Sequence, residues 1–325
     1  MGLQRRQFLQ LIAGASALSA ACRSAWAQPY PSRQVRIVVG YAAGGSTDII
    51  ARLIAQRLSE RLGQQFIIDN RPGAATNIAI EVVARAPPDG YTLLMVDAAP
   101  TTNATLYEKL NFNFIRDIAP VACTIRAPLV MLVNPAVPAK TVPELVAYAK
   151  VNPGKLNVAT GGIGSTAHMA GELFKMMTDV ATTHVHYRGG GPALIDLLSG
   201  QVQVFFNGVV PSIEYIRTGQ LRALAVSTAT RSDALPEVPT VSEFVPGYEV
   251  STWYGVGAPK NTPGEIVDKL NKEINAVLSD PDMKARLADL GGTAFAGSAA
   301  EFGKLIGDDT EKWGRVIRAA NIRPE

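Results

Sequence analysis

The chain has 325 residues, of which 47% are hydrophobic, 18% charged and 7% aromatic, a balance that supports a buried core and excludes wholesale disorder. Its formal charge of +3 comes from Arg5, Arg6 and Arg23, which lie in an opening stretch of 27 residues without Asp or Glu; the remainder carries 28 basic against 28 acidic residues. A neutral body without a Lys/Arg cluster gives no electrostatic basis for binding nucleic acid or an anionic membrane, and past the amino terminus no run of eighteen apolar residues predicts a span.

Residues 1–27 read as a secretion signal: the basic pair Arg5-Arg6, an uncharged run from Phe8 to Ala21, and the small-x-small site Ala25-Trp26-Ala27. Cleavage before Gln28 leaves about 298 residues. The string RRQFLQ (5–10) has the twin-arginine pattern, and an ordinary Sec signal with two arginines fits equally. Cys22 lacks the aliphatic residue usual three positions before a lipoprotein cysteine. Its loss with the signal leaves Cys123 alone, so no intramolecular disulfide is expected.

The mature chain exceeds what one hydrophobic core usually organises, and its rhythm is strand then helix. RIVVGYA (36–42) precedes an amphipathic stretch over Asp48–Leu62; FIID (66–69) precedes Ile78–Ala84; YTLLMV (91–96) precedes a turn-rich stretch. The beat resumes with LNVAT (156–160) and His168–Met177, THVHY (183–187) and Pro192–Leu198, VQVFF (202–206) and Ile213–Arg217, then LRALAVS (221–227). Helices are expected over Pro263–Leu278, Pro281–Leu290 and Glu301–Ala320. Such alternation, with glycine at strand ends, predicts an α/β protein of mainly parallel sheets flanked by helices. PLVMLVNP (128–135) and WYGVGAP (253–259) break the rhythm where a chain would pass between lobes. The expected division is residues 28–128 plus 254–325 as one lobe and 129–253 as the other.

Three glycine-rich turns carry the candidate chemistry. In YAAGGSTDIIAR (41–52), glycines and Ser-Thr-Asp stand between a strand and a helix, where free amides attract anions, although helix capping by Ser46 or Thr47 accounts for the same residues. TGGIGSTAHMAGELF (160–174) repeats the arrangement, with Gly162, Gly164 and Ala167 matching a dinucleotide fingerprint, yet no acidic residue ends the next strand to hold a ribose. His184 and His186 share a strand face at a spacing that can bind metal, with only His168 elsewhere and no cysteine pair, which argues against a structural metal. Ser165 and His168 lack the further groups a nucleophile needs. HYRGGGPALIDLLSGQVQVFFNG (186–208) holds the third turn and places Asn207 just past a strand. Turns of this kind at strand carboxyl ends are where open α/β sheets bind ligands, which points to a cleft between lobes.

Together with NRPGAATNIAIEVVARAPPDGYTLLM (70–95), LPEVPTVSEF (235–244) and WYGVGAPKNTP (253–263), these strings resemble, in order and over essentially the whole mature chain, the Bug family of periplasmic solute receptors of tripartite tricarboxylate transporters. The resemblance implies a type II periplasmic-binding-protein fold, two α/β lobes closing like a Venus-flytrap on a small carboxylate. It implies a non-enzymatic monomer without cofactor or metal, whose partners are the membrane permease subunits of a tripartite transporter or a sensor domain; a nucleotide-dependent enzyme is the remote alternative. The carry-over falls on Gly45, Ser46, Thr47 and Asp48 in the first lobe and on Gly164, Ser165, Thr166, Tyr187 and Asn207 in the second, with Thr102 and Asn103 at the rim. Many relatives have an aspartate where this chain has Asn207, which implies an amine-free ligand.

Overall fold

In the computed structural model, residues 29–107, 109–289, 291–319 and 322–323 are described, so the signal segment 1–27 lies outside the described residues. The unit Arg33–Glu325 opens with β1 (Val35–Val39), α1 (Ser46–Leu62), β2 (Phe66–Asn70), α2 (Asn77–Ala84), β3 (Thr92–Asp97), α3 (Ala99–Leu106) and the short α4 (Phe114–Asp117). The sixteen-residue β4 (Ile118–Val133) leads to α5 (Val142–Val151), β5 (Asn157–Thr160), α6 (Thr166–Thr178), β6 (Thr183–His186), α7 (Gly190–Leu198), β7 (Val204–Gly208), α8 (Ile213–Arg217) and β8 (Arg222–Val226). The chain closes with β9 (Ser251–Pro259), α9 (Gly264–Ser279), α10 (Pro281–Asp289), β10 (Thr293–Ala294) and α11 (Ala299–Ala319).

The strands hydrogen-bond in the order β2-β1-β3-β9-β4-β7-β5-β6, with β8 and β10 also on β4. As expected of strand–helix units, β1 is parallel to β2 and β3, and β5 is parallel to β6 and β7. The centre is antiparallel instead: β9 runs against β3 and β4, and β4 runs against β7 and β8. Long strands linking two parallel sets enter each set from the far side, so they oppose its direction. β4 pairs with β9 as far as Pro128 and with β7 from Leu129, and Val250 still donates to the Ser227 carbonyl before β9 begins.

The apolar run PLVMLV is explained by burial on both faces. Val130 and Leu132 enter a core with Ala159, Leu194, Phe205 and Ile213, while Leu129, Met131 and Val133 enter another with Met169, Phe174, Phe206 and Tyr248. Beneath the first set of strands, Val38, Ile80, Leu94, Trp253, Phe302 and Ile306 form a third core, braced where Trp253 Nε1 donates to Asp309 at 2.6 Å. Trp313 and Ile317 of α11 pack into the second core, tying the carboxyl-terminal helix to the far sheet.

Two helices escape the periodicity. α3 occupies the stretch read as turn-rich: its Ala-Pro-Thr-Thr-Asn opening has low helix propensity, but Pro100 suits a first turn, the Thr101 hydroxyl bonds back to the Ala98 carbonyl, and burial does the rest. α5 was legible at its start, where Thr141 accepts from the Glu144 amide and Pro143 sits in the first turn. Among the described residues no helix is long and apolar enough to cross a membrane, and Cys123 is buried as a free thiol.

Packing between the first sheet and α11 leaves no room at Gly255: a methyl there would run into the Phe302 ring and lie 2.8 Å from the Ala122 carbonyl oxygen. Gly255→Ala is expected to lower stability by about 1–3 kcal/mol, read as an earlier urea midpoint at unchanged slope.

Candidate functional site

Between the two sheets lies a small cleft with a cavity volume of about 60 Å³, lined by residues from both. α1 delivers Ser46 and Thr47, preceded by Gly45; α6 delivers Thr166, preceded by Ser165; and α7 opens at Gly190. Three helix amino termini therefore meet one space. Gly45 and Gly189, the residues ahead of α1 and α7, carry no side chain to cap the first-turn amides, whereas Ser165 accepts from the His168 amide at 3.2 Å. First-turn amides of a helix have no partner within it and carry the positive end of its dipole. Of the hydroxyls, Thr166 Oγ1 is buried without a hydrogen bond.

The glycines earn their positions by close approach. A methyl on Gly191 would strike the Ala43 carbonyl, and one on Gly208 would strike Ser46 Oγ. The loops interlock through a bond from the Ala42 amide to the Arg188 carbonyl, 2.9 Å. The glycine-rich loops of the two sheets are thus in contact around the cavity.

Of the residues anticipated from sequence, Gly45, Ser46, Thr47, Ser165, Thr166 and Asn207 line this space. Asp48, Thr102, Asn103, Gly164 and Tyr187 do not, and the hydrogen bonds say why. Asp48 accepts from the Gly44 amide, Asn70 and both Nε and Nη2 of Arg52, at 2.9–3.0 Å, which braces the first loop from behind. Burial alone would raise its pKa, but those donors outweigh it and hold the carboxyl below the usual range. Thr102 and Asn103 are not at a rim: both are buried in α3, where Thr102 donates to the Gly164 carbonyl at 2.5 Å and Asn103 Nδ2 to the Ala75 carbonyl at 2.7 Å. Gly164, at φ +84° and against Asn103, fits that joint only as glycine. Tyr187 turns to Asp196 at 2.6 Å and lines a neighbouring cavity with Gly162 and Arg188.

All three histidines of the chain converge behind the second loop, with ring centroids of His168 lying 5.0 Å from His184 and 5.2 Å from His186. Ligating atoms of His168, Glu172 and His184 lie within 4.8 Å of one another. The existing bonds nonetheless oppose a metal. The Gly164 amide donates to His168 Nδ1 at 3.1 Å, so that lone pair is taken and the neutral ring carries its proton on Nε2; neither nitrogen is free to ligate. Burial, then the neighbouring His184 and His186, push the His168 pKa down to about 3, which keeps the ring neutral. Its evident role is to hold the turn that presents Ser165.

Sequence reasoning missed Tyr41, Asp97 and Tyr254, which also line the cavity. Asp97 ends β3 opposite Tyr254 of β9, at a strand carboxyl end, the place where α/β ligand sites form; that position was the available signal. Its carboxyl accepts from the Ala99 amide at 3.1 Å and lies beside the Tyr41 hydroxyl, which makes no well-aligned bond. Among the described residues no Lys or Arg lines the cavity. Burial pushes the Asp97 pKa up to about 6, against the pull of the Ala99 amide and Tyr41, and it raises Tyr41 and Tyr254 as well.

A carboxyl that titrates at about 6 when folded and at 3.8 when free keeps a proton in the native state that the unfolded chain has lost. Its contribution to stability is therefore greatest below pH 3.8 and is lost as pH rises through 6, a swing of roughly 3 kcal/mol. Asp97→Asn, which keeps the acceptor for Ala99, is expected to stabilise the protein at pH 8 by up to about 3 kcal/mol and to have little effect at pH 4. Chemical denaturation at the two pH values checks the sign.

Comparison with known proteins matches residues 50–322 to the tripartite tricarboxylate transporter family receptor. The protein BugT of Bordetella pertussis is 35% identical over 300 residues, covering 91% of this chain and 92% of its own. The structure of R. palustris Rpa4515 with adipate is similar at a TM-score of 0.89 and 38% identity, covering 91% of this chain and 100% of that one. MatC (Rpa3494) from Rhodopseudomonas palustris with bound malate is similar at a TM-score of 0.85 and 33% identity, covering 89% and 100% respectively.

Proposed function

This chain belongs to the family of tripartite tricarboxylate transporter receptors, and from that premise we propose that it captures a small carboxylate in the cavity between its sheets and delivers it to the membrane subunits of such a transporter. It is a periplasmic solute-binding receptor and not an enzyme. The carrying observation is the convergence of three helix amino termini, two of them without side-chain caps, on a cavity lined by no cation. Amide dipoles hold an anion there without a buried cation. The adipate of Rpa4515 and the malate of MatC are both small carboxylates, which supports the same class here.

In this reading residues 28–128 with 254–325 form one lobe and 129–253 the other, moving about β4 and the chain entering β9, after removal of the signal near Ala27. Gly45, Ser46, Thr47, Ser165, Thr166 and Asn207 supply the direct contacts. Asp48, Thr102, Asn103, Gly164 and Tyr187 act through the loops they hold.

Ser46→Ala and Ser165→Ala are each expected to weaken carboxylate binding by about 1–3 kcal/mol, with little dependence on bulk salt because both hydroxyl groups are buried. Calorimetry on protein stripped of ligand by unfolding and refolding reads this directly; unchanged affinity in both variants places the site elsewhere. Deleting the gene should abolish uptake of the identified ligand, whereas intact uptake with lost induction of its catabolism would make the partner a sensor domain.

A further inference from the structure

Resting on the carboxylate-receptor reading, we propose that Asp97 selects a ligand bearing, besides its carboxylate, a hydrogen-bond donor that meets the Asp97 carboxyl: a hydroxyl or an ammonium rather than a second ionised carboxylate. The first support is placement. Asp97 is 7% exposed, and that remnant faces the cavity that also receives Ser46, Ser165 and Thr166. It is thus the acidic group within reach of whatever the helix amides hold.

The second support is what the protein leaves unpaired. An ionised carboxyl has about four acceptor positions, and the Ala99 amide is the well-formed donor to a side-chain oxygen of Asp97. The Tyr41 hydroxyl and the residue's own amide lie alongside as further donors, but among the described residues no Lys or Arg lines the cavity. Buried carboxylates are rarely left without a cation. A donor on the ligand can meet the acceptor positions that stay open and offset the uncompensated charge.

The third support is charge. The titratable groups facing Asp97 are Tyr41 and Tyr254, both held protonated by burial, so Asp97 is the member of the three that changes charge near neutrality. Above pH 6 it is an anion. A ligand that turned a second carboxylate toward it would bring two negative charges together in an enclosed space, while a hydroxyl or ammonium relieves the unpaired one. The proposal departs from the expectation drawn from position 207. Asn207 indeed lacks a charge, and its Nδ2 is engaged by Ser212 Oγ at 3.0 Å, but β3 returns a carboxyl to the same cavity. An amine-bearing ligand is therefore accommodated after all.

The test is a thermal-shift screen, followed by calorimetry, of short aliphatic and aromatic carboxylic acids, each beside its α-hydroxy and α-amino analogue. Wild type, Asp97→Asn and Ser165→Ala are compared on protein refolded free of ligand. In the wild type the tightest acid should exceed its donor-free analogue at least tenfold at pH 7.5, and whether the hydroxy or the amino form ranks first identifies the donor. Asp97→Asn should erase most of that preference while still binding the donor-free acid; Ser165→Ala should weaken all three alike. The wild-type preference should decline as pH falls below 6, approaching tenfold per unit, and Asp97→Asn should show no such decline. Donor-free acids binding as tightly as their analogues, or a ranking unchanged in Asp97→Asn, would overturn the inference and leave the receptor reading standing. Failure of every carboxylate to bind the wild type would remove the receptor reading and this inference with it.

Discussion

Helix amides from three separate strand–helix units can face one cavity only because β4 is a single continuous strand shared by both sheets. Its first part hydrogen-bonds β9, its last five residues hydrogen-bond β7 and the last four of those also β8, so one strand carries the parallel strands of both sheets. Each parallel set ends in a glycine turn and a helix start, and those ends face across the junction. The apolar residues of β4, buried on both faces, make that positioning cooperative with core formation. The convergence of Gly45, Ser165 and Gly190 is a consequence of the sheet.

Around the cavity, charge is handled by keeping it outside or neutral. Asp48, the acid nearest the first helix start, is drawn back into a bidentate pair with Arg52 and contributes rigidity to the loop. His168 stands behind the second loop as a neutral acceptor for the Gly164 amide. Asp97 is the exception, a buried carboxyl without a cation, and an exception of that kind lowers stability unless something gains from it. On the proposal made for Asp97, the gain is discrimination among ligands that the helix amides would otherwise hold by their carboxylates alone.

Close backbone approach accounts for the glycine content of the loops better than flexibility does. Gly191 against Ala43, Gly208 against Ser46 and Gly164 against Asn103 are places where a side chain would force the two sheets apart. Thr102 and Asn103 complete the joint from α3, which explains why a helix of poor intrinsic propensity forms there.

The sequence by itself determined the α/β alternation, the three glycine turns ahead of helices and the family, because periodicity and turn chemistry are local and the motifs lie in order along the chain. Ser46 and Thr166 were legible for the same reason: each sits at a helix start announced by glycine and hydroxyl residues. Helix α3 was not, since its stability comes from burial against other elements. Nor was the antiparallel course of β4 and β9, which depends on strands distant in sequence. Tertiary structure alone decided that Asp48, Thr102 and Asn103 serve the loops and that the three histidines meet. It also decided that Asp97, at the end of one strand among many, shares a cavity with Asn207. A side chain's environment there is set by the other sheet, about which its own sequence neighbours carry no information.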